Sequence, residues 1–492
     1  MDGVGCASRL AACGVSACLA FGSASGCAGS CAPTGAEPME ASTTEQLETA
    51  GSTTWQDDAP STTGTGEVAP DLGDDGPTQP LPPQIPPLGE GCGDGIPTTG
   101  EFCYVRVEIG ELPGLTFGRL SFAIDLGGDG LGSFGIGTSP EEGFGDFITL
   151  AHLEHDGSFR LDPALPTWEW FGHFTDRDFD GDGRNDVIGI GASPGWYSLF
   201  MVHRNLGETV GELVSEEVLE DGASGHAFPI DVDGDGVLEV VAGVEFEGIH
   251  LRRRVGGQWT QIGSTLPLPA CNWLSGNAHA DFNEDGFEDF VTTGGTQACD
   301  PFPQTYDPSW YRVAVFFSDP VAGQIVAGPE LPMGGLHDPK ADDTRSVFAG
   351  DFDRDGHADI LVPLQESFAT SKHLGMSFLR GHGDGTFDPA VVVTVEHNDG
   401  FSVSRMGDFD GDGNLDMLGG RKLADSGPTE LAVAYGAWPD LSFHVIAVLD
   451  RSSAVTIGDV NGDGVTDVLM TDASLTPLSE PRKYYFALIS SP

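Results

Sequence analysis

From residue 104 to residue 489 the chain repeats one pattern: a short apolar run, an acidic turn carrying glycine, and another short apolar run. Residues 187–190, 240–242, 360–362 and 468–470 each follow such a turn. Runs this short, rich in Val and Ile and bounded by Gly, Asn and Asp, predict strands rather than helices. Further strands are expected at 104–109, 196–200, 391–395 and 484–489. Gly 71 and Pro 33, about a fifth of the 492 residues, fit many short strands joined by tight turns.

The acidic turns align without gaps in six places: 178–186 (DFDGDGRND), 231–239 (DVDGDGVLE), 281–289 (DFNEDGFED), 351–359 (DFDRDGHAD), 408–416 (DFDGDGNLD) and 459–467 (DVNGDGVTD). Their starts differ by 53, 50, 70, 57 and 51 residues. A degenerate seventh copy begins at Asp125, with Gly127 and Ser133 where the others carry oxygen ligands and acids, and no tight site is expected there. Seven units across 92–492 give about 57 residues each, room for four short strands and their turns.

Every loop has oxygen side chains at positions 1, 3, 5 and 9, glycine at 6 and a backbone carbonyl available at 7. The candidate ligands are Asp178, Asp180, Asp182, Arg184 and Asp186 in the first loop, and Asp231, Asp233, Asp235, Val237 and Glu239 in the second. The third and fourth offer Asp281, Asn283, Asp285, Phe287 and Asp289, then Asp351, Asp353, Asp355, His357 and Asp359. The last two offer Asp408, Asp410, Asp412, Asn414 and Asp416, then Asp459, Asn461, Asp463, Val465 and Asp467. Hard divalent cations take six to eight oxygens, and a tight loop aims alternate side chains at one centre, so about six Ca²⁺ ions are expected. Without them, each loop packs three or four anions together. An EF-hand needs an acid at position 12 and flanking helices. Here position 12 is Gly189, Ala242, Thr292, Val362, Gly419 and Met470.

These units resemble FG-GAP and VCBS repeats, the units of integrin-alpha-type β-propellers. Phe117-Gly118 ahead of the degenerate copy at Asp125 and 137–140 (GTSP) after it follow the family's phenylalanine-glycine and glycine-alanine-proline pattern, and 191–194 (GASP) repeats the second half. Residues 383–387 (GDGTF) and 155–159 (HDGSF) match the turn that closes many VCBS units. The resemblance covers roughly 117–471 and implies an all-β, seven-bladed β-propeller of four-stranded blades with calcium-binding loops between the first two strands of a blade. It names no ligand.

A propeller ring closes best when one blade draws on both chain ends. The last unit supplies three strands and lacks an outer one, and 104–109 is expected to fill that place and protect the open edge. Strand order then puts the calcium loops on one rim. On the other fall Cys271 and Cys299, the long 292–310 insertion, and all four lysines, Lys340, Lys372, Lys422 and Lys483, with Arg421 and Arg482. These cations suggest a patch for anionic groups; the alternative is that lysines favour exposed loops anyway.

The formal net charge of −54 argues against a nucleic acid or an anionic membrane surface as partner. Residues 1–26 read as a lipoprotein-like signal peptide, with an apolar stretch at 10–22 behind Arg9 and a cleavage site before Cys27; an ordinary apolar leader is the alternative. Residues 27–91 are an acidic linker rich in Ser, Thr, Pro and Gly, expected to be disordered, and 92–492 form the propeller. Disulfides at Cys92 with Cys103 and Cys271 with Cys299 would suit an oxidising compartment, while Cys31 stays unexplained. The expected location is outside the cytoplasm, as an outer-membrane or cell-surface lipoprotein or a secreted protein, with the membrane touched only through an N-terminal lipid.

For catalysis, residues 191–195 (GASPG) fit the nucleophile-elbow spacing, but a strand rather than a helix is expected after them. His152 and His155 lack zinc-site spacing, and His173, His226 and His279 are expected to pack near inner strand ends. The expectation is a non-enzymatic, calcium-stabilised, monomeric binding or adhesion protein that recognises a protein or glycan, anionic ones included, through the face opposite the calcium loops. The alternative is a carbohydrate-active enzyme with its site in the propeller channel.

Overall fold

The computed structural model describes residues 102–112, 121–126, 130–138, 146–167, 171–179, 181–192, 198–205, 210–220, 223–244, 248–256, 258–267, 276–293, 312–333, 347–365, 373–393, 401–422, 429–435, 442–449, 452–472 and 483–490. The leader, the linker, Cys92, Cys271, Cys299, Asp180, Phe117, Gly118, most of the 292–310 insertion, Lys340, Lys372 and Arg482 lie outside them. All regular elements among the described residues are strands.

Strand β1 (Tyr104–Leu112) is followed by β2 (Ser121–Ile124), β3 (Ser133–Thr138), β4 (Asp146–Leu153), β5 (Phe159–Leu161) and β6 (Leu165–Thr167). Strands β2 to β5 pair in order, and β6 adds to β4. The next sheet holds β7 (Phe171–Arg177), β8 (Asp186–Ala192), β9 (Ser198–Asn205) and β10 (Val210–Glu220). It is followed by β11 (Ala223–Ile230), β12 (Glu239–Val244), β13 (Gly248–Val255) and β14 (Gln258–Leu266). Then come β15 (Gly276–Ala280), β16 (Asp289–Thr293), β17 (Arg312–Asp319) and β18 (Gln324–Pro332). A fifth sheet holds β19 (Phe348–Gly350), β20 (Asp359–Gln365), β21 (His373–Leu379) and β22 (Val391–Val393). The sixth holds β23 (Phe401–Gly407), β24 (Asp416–Lys422), β25 (Thr429–Tyr435) and β26 (Ser442–Leu449). Finally β27 (Ser452–Gly458), β28 (Asp467–Asp472) and β29 (Lys483–Ser490) pair in order, with β1 added at the free edge of β29.

That last pairing is the expected seam. Strand β1 runs antiparallel to β29 from Tyr104 opposite Ser490 to Leu112 opposite Lys483, with one irregularity between Glu108 and Gly110. Cys103, immediately before it, is in a disulfide. The strand predicted after residue 195 is β9, so no helix follows the elbow-like spacing and the local requirement of a nucleophile elbow is not met.

Apolar clusters sit between consecutive sheets rather than within any one of them. Ile188 and Val202 meet Ala227, Val240 and Ala242. Phe228, Val241 and Leu251 meet Phe290 and Phe316, whose own rings stack at 4.8 Å. Phe352, Leu361 and Phe378 meet Met417, Ala432 and Ala434. At the far end Leu469, Tyr485 and Ala487 meet Leu131, Phe134 and Ile136, so the packing returns to the sheet of β2. A sheet sandwiched on both faces buries both sides of its middle strands, which is why β16 is buried throughout while the outer β14 alternates with exposed positions.

The seam is held by an aromatic group. Phe102 lies 5.2 Å from Tyr104 and 5.6 Å from Phe409. The Tyr104 hydroxyl donates to the Ile446 carbonyl at 2.6 Å, and the Arg106 guanidinium lies 3.9 Å over the Phe486 ring. Phe486 itself is 2% exposed. Replacing it, Phe486→Ala, should destabilise the fold by roughly 3–5 kcal/mol in urea denaturation. The same substitution at half-buried Phe159, Phe159→Ala, should cost less.

Candidate metal centre

Each acidic loop joins the first and second strands of its sheet: 178–186 lies between β7 and β8, 231–239 between β11 and β12, and so on through 459–467 between β27 and β28. The six are numbered first to sixth in chain order. Position 2 anchors the loop in the core beneath it; Val232, Phe282, Phe352, Phe409 and Val460 are all at most 3% exposed. The position 1 aspartate then folds the loop over itself. In the second loop Asp231 accepts N–H bonds from Gly234 at 2.8 Å and Gly236 at 3.0 Å, and the sixth repeats this with Asp459, Gly462 and Gly464. Position 5 caps position 7, as Asp463 does for the Val465 N–H at 2.8 Å.

This path needs a left-handed backbone at positions 4 and 6, which is why glycine recurs there. Two loops depart from the rule at position 4: Glu284 at φ 55° and Arg354 at φ 63° are the two non-glycine residues at positive φ among those described. Both reach an adjoining loop. The Glu284 carboxylate meets the His357 ring at 2.5 Å, raising the imidazole pKa, and Arg354 meets Asp412 at 3.1 Å. At two other corners the approach is apolar and leaves no room for a side chain. A Cβ on Gly234 would lie 2.8 Å from the Phe287 ring, and one on Gly411 would lie 3.0 Å from Val465. At three corners, then, position 7 of one loop sits on position 4 of the loop before it.

Position 9 has a second role that its spacing did not reveal. One of its oxygens accepts the position 2 N–H in all six loops, through Asp186, Glu239, Asp289, Asp359, Asp416 and Asp467, at 2.8–3.1 Å. The other oxygen commonly takes an N–H from the end of the third strand or just beyond it, as Asp289 does from Ser318, Asp359 from Gly381 and Asp467 from Ser490. One side chain therefore ties the loop to two strands of its sheet.

Three groups of carboxylates each bring one oxygen per residue within 4.8 Å of the others: Asp231 with Asp233 and Glu239, Asp351 with Asp353 and Asp355, and Asp408 with Asp410 and Asp416. These are the loops whose positions 1, 3 and 5 are all aspartate and all described. The third and sixth loops carry an amide instead, and Asn283 and Asn461 each donate to the position 5 carboxylate, at 3.1 and 2.8 Å. The donor set fits a hard cation. Asp233 Oδ1, Asp353 Oδ1 and Asp416 Oδ1 are buried without a hydrogen-bond partner, a costly state for a carboxylate oxygen that a cation would relieve.

In the degenerate first repeat, the Gly130 N–H still bonds Asp125 at 3.0 Å, while Ser133 at position 9 pairs with His152 at 2.9 Å. Gly127 and Asp129 lie outside the described residues. Among the histidines singled out by sequence, His279 lies on β15, 3.7 Å from Glu288 and 3.1 Å from Asn277.

Sequence reasoning missed the arginines. Arg253 on β13 bonds Asp233 at 2.6 Å and Glu239 at 2.5 Å, and Arg380, just after β21, meets Asp353 at 2.7 Å and Asp355 at 2.6 Å. Arg253 lies within a third strand and Arg380 just beyond one, at unequal distances from their loops in sequence, so no fixed spacing announces them.

An FG-GAP-like repeat profile matches residues 178–242 and 231–292. No curated protein sequence matches the chain. Among solved structures, a Bacillus licheniformis rhamnogalacturonan lyase aligns at 13% identity and TM-score 0.43, covering 83% of this chain and 75% of its own. BBS1N, solved in complex with ARL6DN, aligns at 10% identity and TM-score 0.45, covering 79% and 98%. The WD40 domain of Toxoplasma gondii coronin aligns at 10% and 0.41, covering 82% and 89%. The matched repeats and the four-stranded sheets make this chain a β-propeller repeat protein.

Burial pushes the Asp289 and Asp359 carboxyls up to about 7 and that of Asp416 up to about 8, and neighbouring aspartates add to each shift. Burial also raises Asp467 and Glu239. The metal-free native state therefore holds protons that the unfolded chain has released, so its stability falls as pH rises from about 4 through about 8. Calorimetry in chelator should show a melting temperature higher at pH 5 than at pH 8. Saturating Ca²⁺, which displaces those protons, should flatten or reverse the slope.

Proposed function

We propose that the chain is a seven-bladed β-propeller whose six acidic loops hold Ca²⁺, and that it acts as a non-enzymatic binding or adhesion protein. The observation that carries the metal reading is the set of buried, partnerless oxygens on Asp233, Asp353 and Asp416, inside loops whose other carboxylates converge on them. Ca²⁺ bound there supplies charge and coordination and no redox chemistry. The chain's own residues do the rest: position 2 fixes each loop to the core, position 1 shapes it, and position 9 ties it to the sheet.

The binding face is proposed on the rim opposite these loops. With the first-to-second-strand loops on one rim, the end of a second strand and the start of a third fall on the other, where Lys422 closes β24 and Lys483 opens β29. In a chain of net charge −54, lysines at those strand ends favour an anionic protein or glycan as the partner. Export, with an N-terminal lipid or as a secreted protein, belongs to the same reading, as does action as a monomer without nucleic acid.

Chelation should lower the melting temperature strongly, and Asp412→Ala should remove or weaken one site in a calcium titration, with affinities of roughly 10⁻⁴ to 10⁻³ M. Glycan-array binding of residues 92–492, with and without Ca²⁺, tests the ligand. Loss of array binding on Lys422→Glu with Lys483→Glu is the expected outcome, whereas an unchanged array would remove this rim from consideration.

A further inference from the structure

The arginines on the loops follow a rule that the calcium reading does not contain. Four loops, the first, second, fourth and fifth, carry four carboxylates at positions 1, 3, 5 and 9. Each has a guanidinium on at least one of them: Arg184 on Asp182 at 2.6 Å, Arg253 on Asp233 and Glu239, Arg380 on Asp353 and Asp355, and Arg354 on Asp412. The third and sixth loops carry three carboxylates and an asparagine, and among the described residues no arginine touches their ligand positions. Counting only those four positions and the four arginines just named, the loops come to the same formal charge, −3.

The arginines come from four different places, which argues against a mere by-product of the repeat. Arg184 belongs to its own loop, Arg354 reaches over from the preceding one, Arg253 lies within a third strand, and Arg380 follows one. Arg253 also faces the turn between β17 and β18 of the neighbouring sheet, where a Cβ on Gly323 would lie 3.5 Å from its guanidinium and 3.3 Å from Asp233. In the second and fourth loops the guanidinium takes Oδ2 of the position 3 aspartate and leaves Oδ1 buried and unbonded.

We propose that Arg253 and Arg380, with Arg184 and Arg354, are resident counterions. Each offsets one of the four carboxylate charges of its loop and keeps the loop folded when no metal is bound, and Arg253 and Arg380 also orient the position 3 oxygen. This assignment rests on the calcium reading for the site but not on how many ions the native chain holds. A fixed positive charge within a few ångströms of a divalent ion competes with it, so losing the charge should tighten the site and make the metal-free fold less stable.

The test is calcium titration calorimetry and thermal melting of the full chain and of Arg253→Met, Arg380→Met, Arg253→Lys and Arg160→Met. Arg160 pairs with Glu154 and Asp162, away from the acidic loops. Arg253→Met and Arg380→Met should each gain about tenfold in affinity at one site, melt a few degrees lower in chelator, and recover to the wild-type melting temperature in saturating Ca²⁺. Arg253→Lys, which keeps the charge, should stay close to wild type in the isotherm, and Arg160→Met should leave the isotherm unchanged. A variant that folds only with Ca²⁺ supports the assignment in its strongest form. Unchanged isotherms for both methionine variants, or stability lost equally with and without Ca²⁺, would overturn it. If the wild type takes up no Ca²⁺ while the methionine variants do, the calcium reading of the native chain fails and the counterion assignment stands.

Discussion

The fold depends on carboxylates forced into the company of other carboxylates. Tight turns between first and second strands need a side chain that can accept several backbone N–H groups at once, and aspartate does this at positions 1, 5 and 9. Each such bond shapes the corner and also adds a negative charge to it. The structure answers with burial that raises carboxyl pKa values, with guanidinium partners, and with oxygens left open toward a shared centre.

The corners are linked as well as crowded. At two corners a side chain at position 7 rests on position 4 of the preceding loop, Phe287 on Gly234 and Val465 on Gly411. In the third and fourth loops that contact becomes an ion pair, and the backbone at Glu284 accepts an unfavourable left-handed conformation to make it. Sheets that share apolar clusters below therefore also share contacts at the rim above, and a change at one corner is felt by its neighbour.

Much of this was legible in the sequence because the repeat is written in local chemistry. Six gapless copies of an aspartate-rich corner fix where first strands end and second strands begin, and short Val- and Ile-rich runs fix the strands themselves. The closing strand 104–109 was also readable, from the one strand missing in the last unit, and it extends to Leu112. Long-range pairings were not readable. Arg253 and Arg380 find their loops only after three strands have been laid side by side, and Arg354 finds Asp412 across a sheet boundary. The latch at position 9 was hidden for another reason, since a metal ligand and a backbone acceptor demand the same residue type.

The pairing of β1 with β29 also bears on the order of events as the chain is made. Residue 104 leaves the ribosome early, yet its strand partner spans 483–490. Until that late segment emerges, β1 has no edge to join, and the aromatic group around Phe102 and Phe486 stays incomplete. Individual hairpins can form during synthesis, but the final sheet is assembled only after translation has passed almost the whole domain. Nascent chains held by the ribosome are therefore open arcs, sticky at both ends, and closing the circle is the step most exposed to mispairing with another copy.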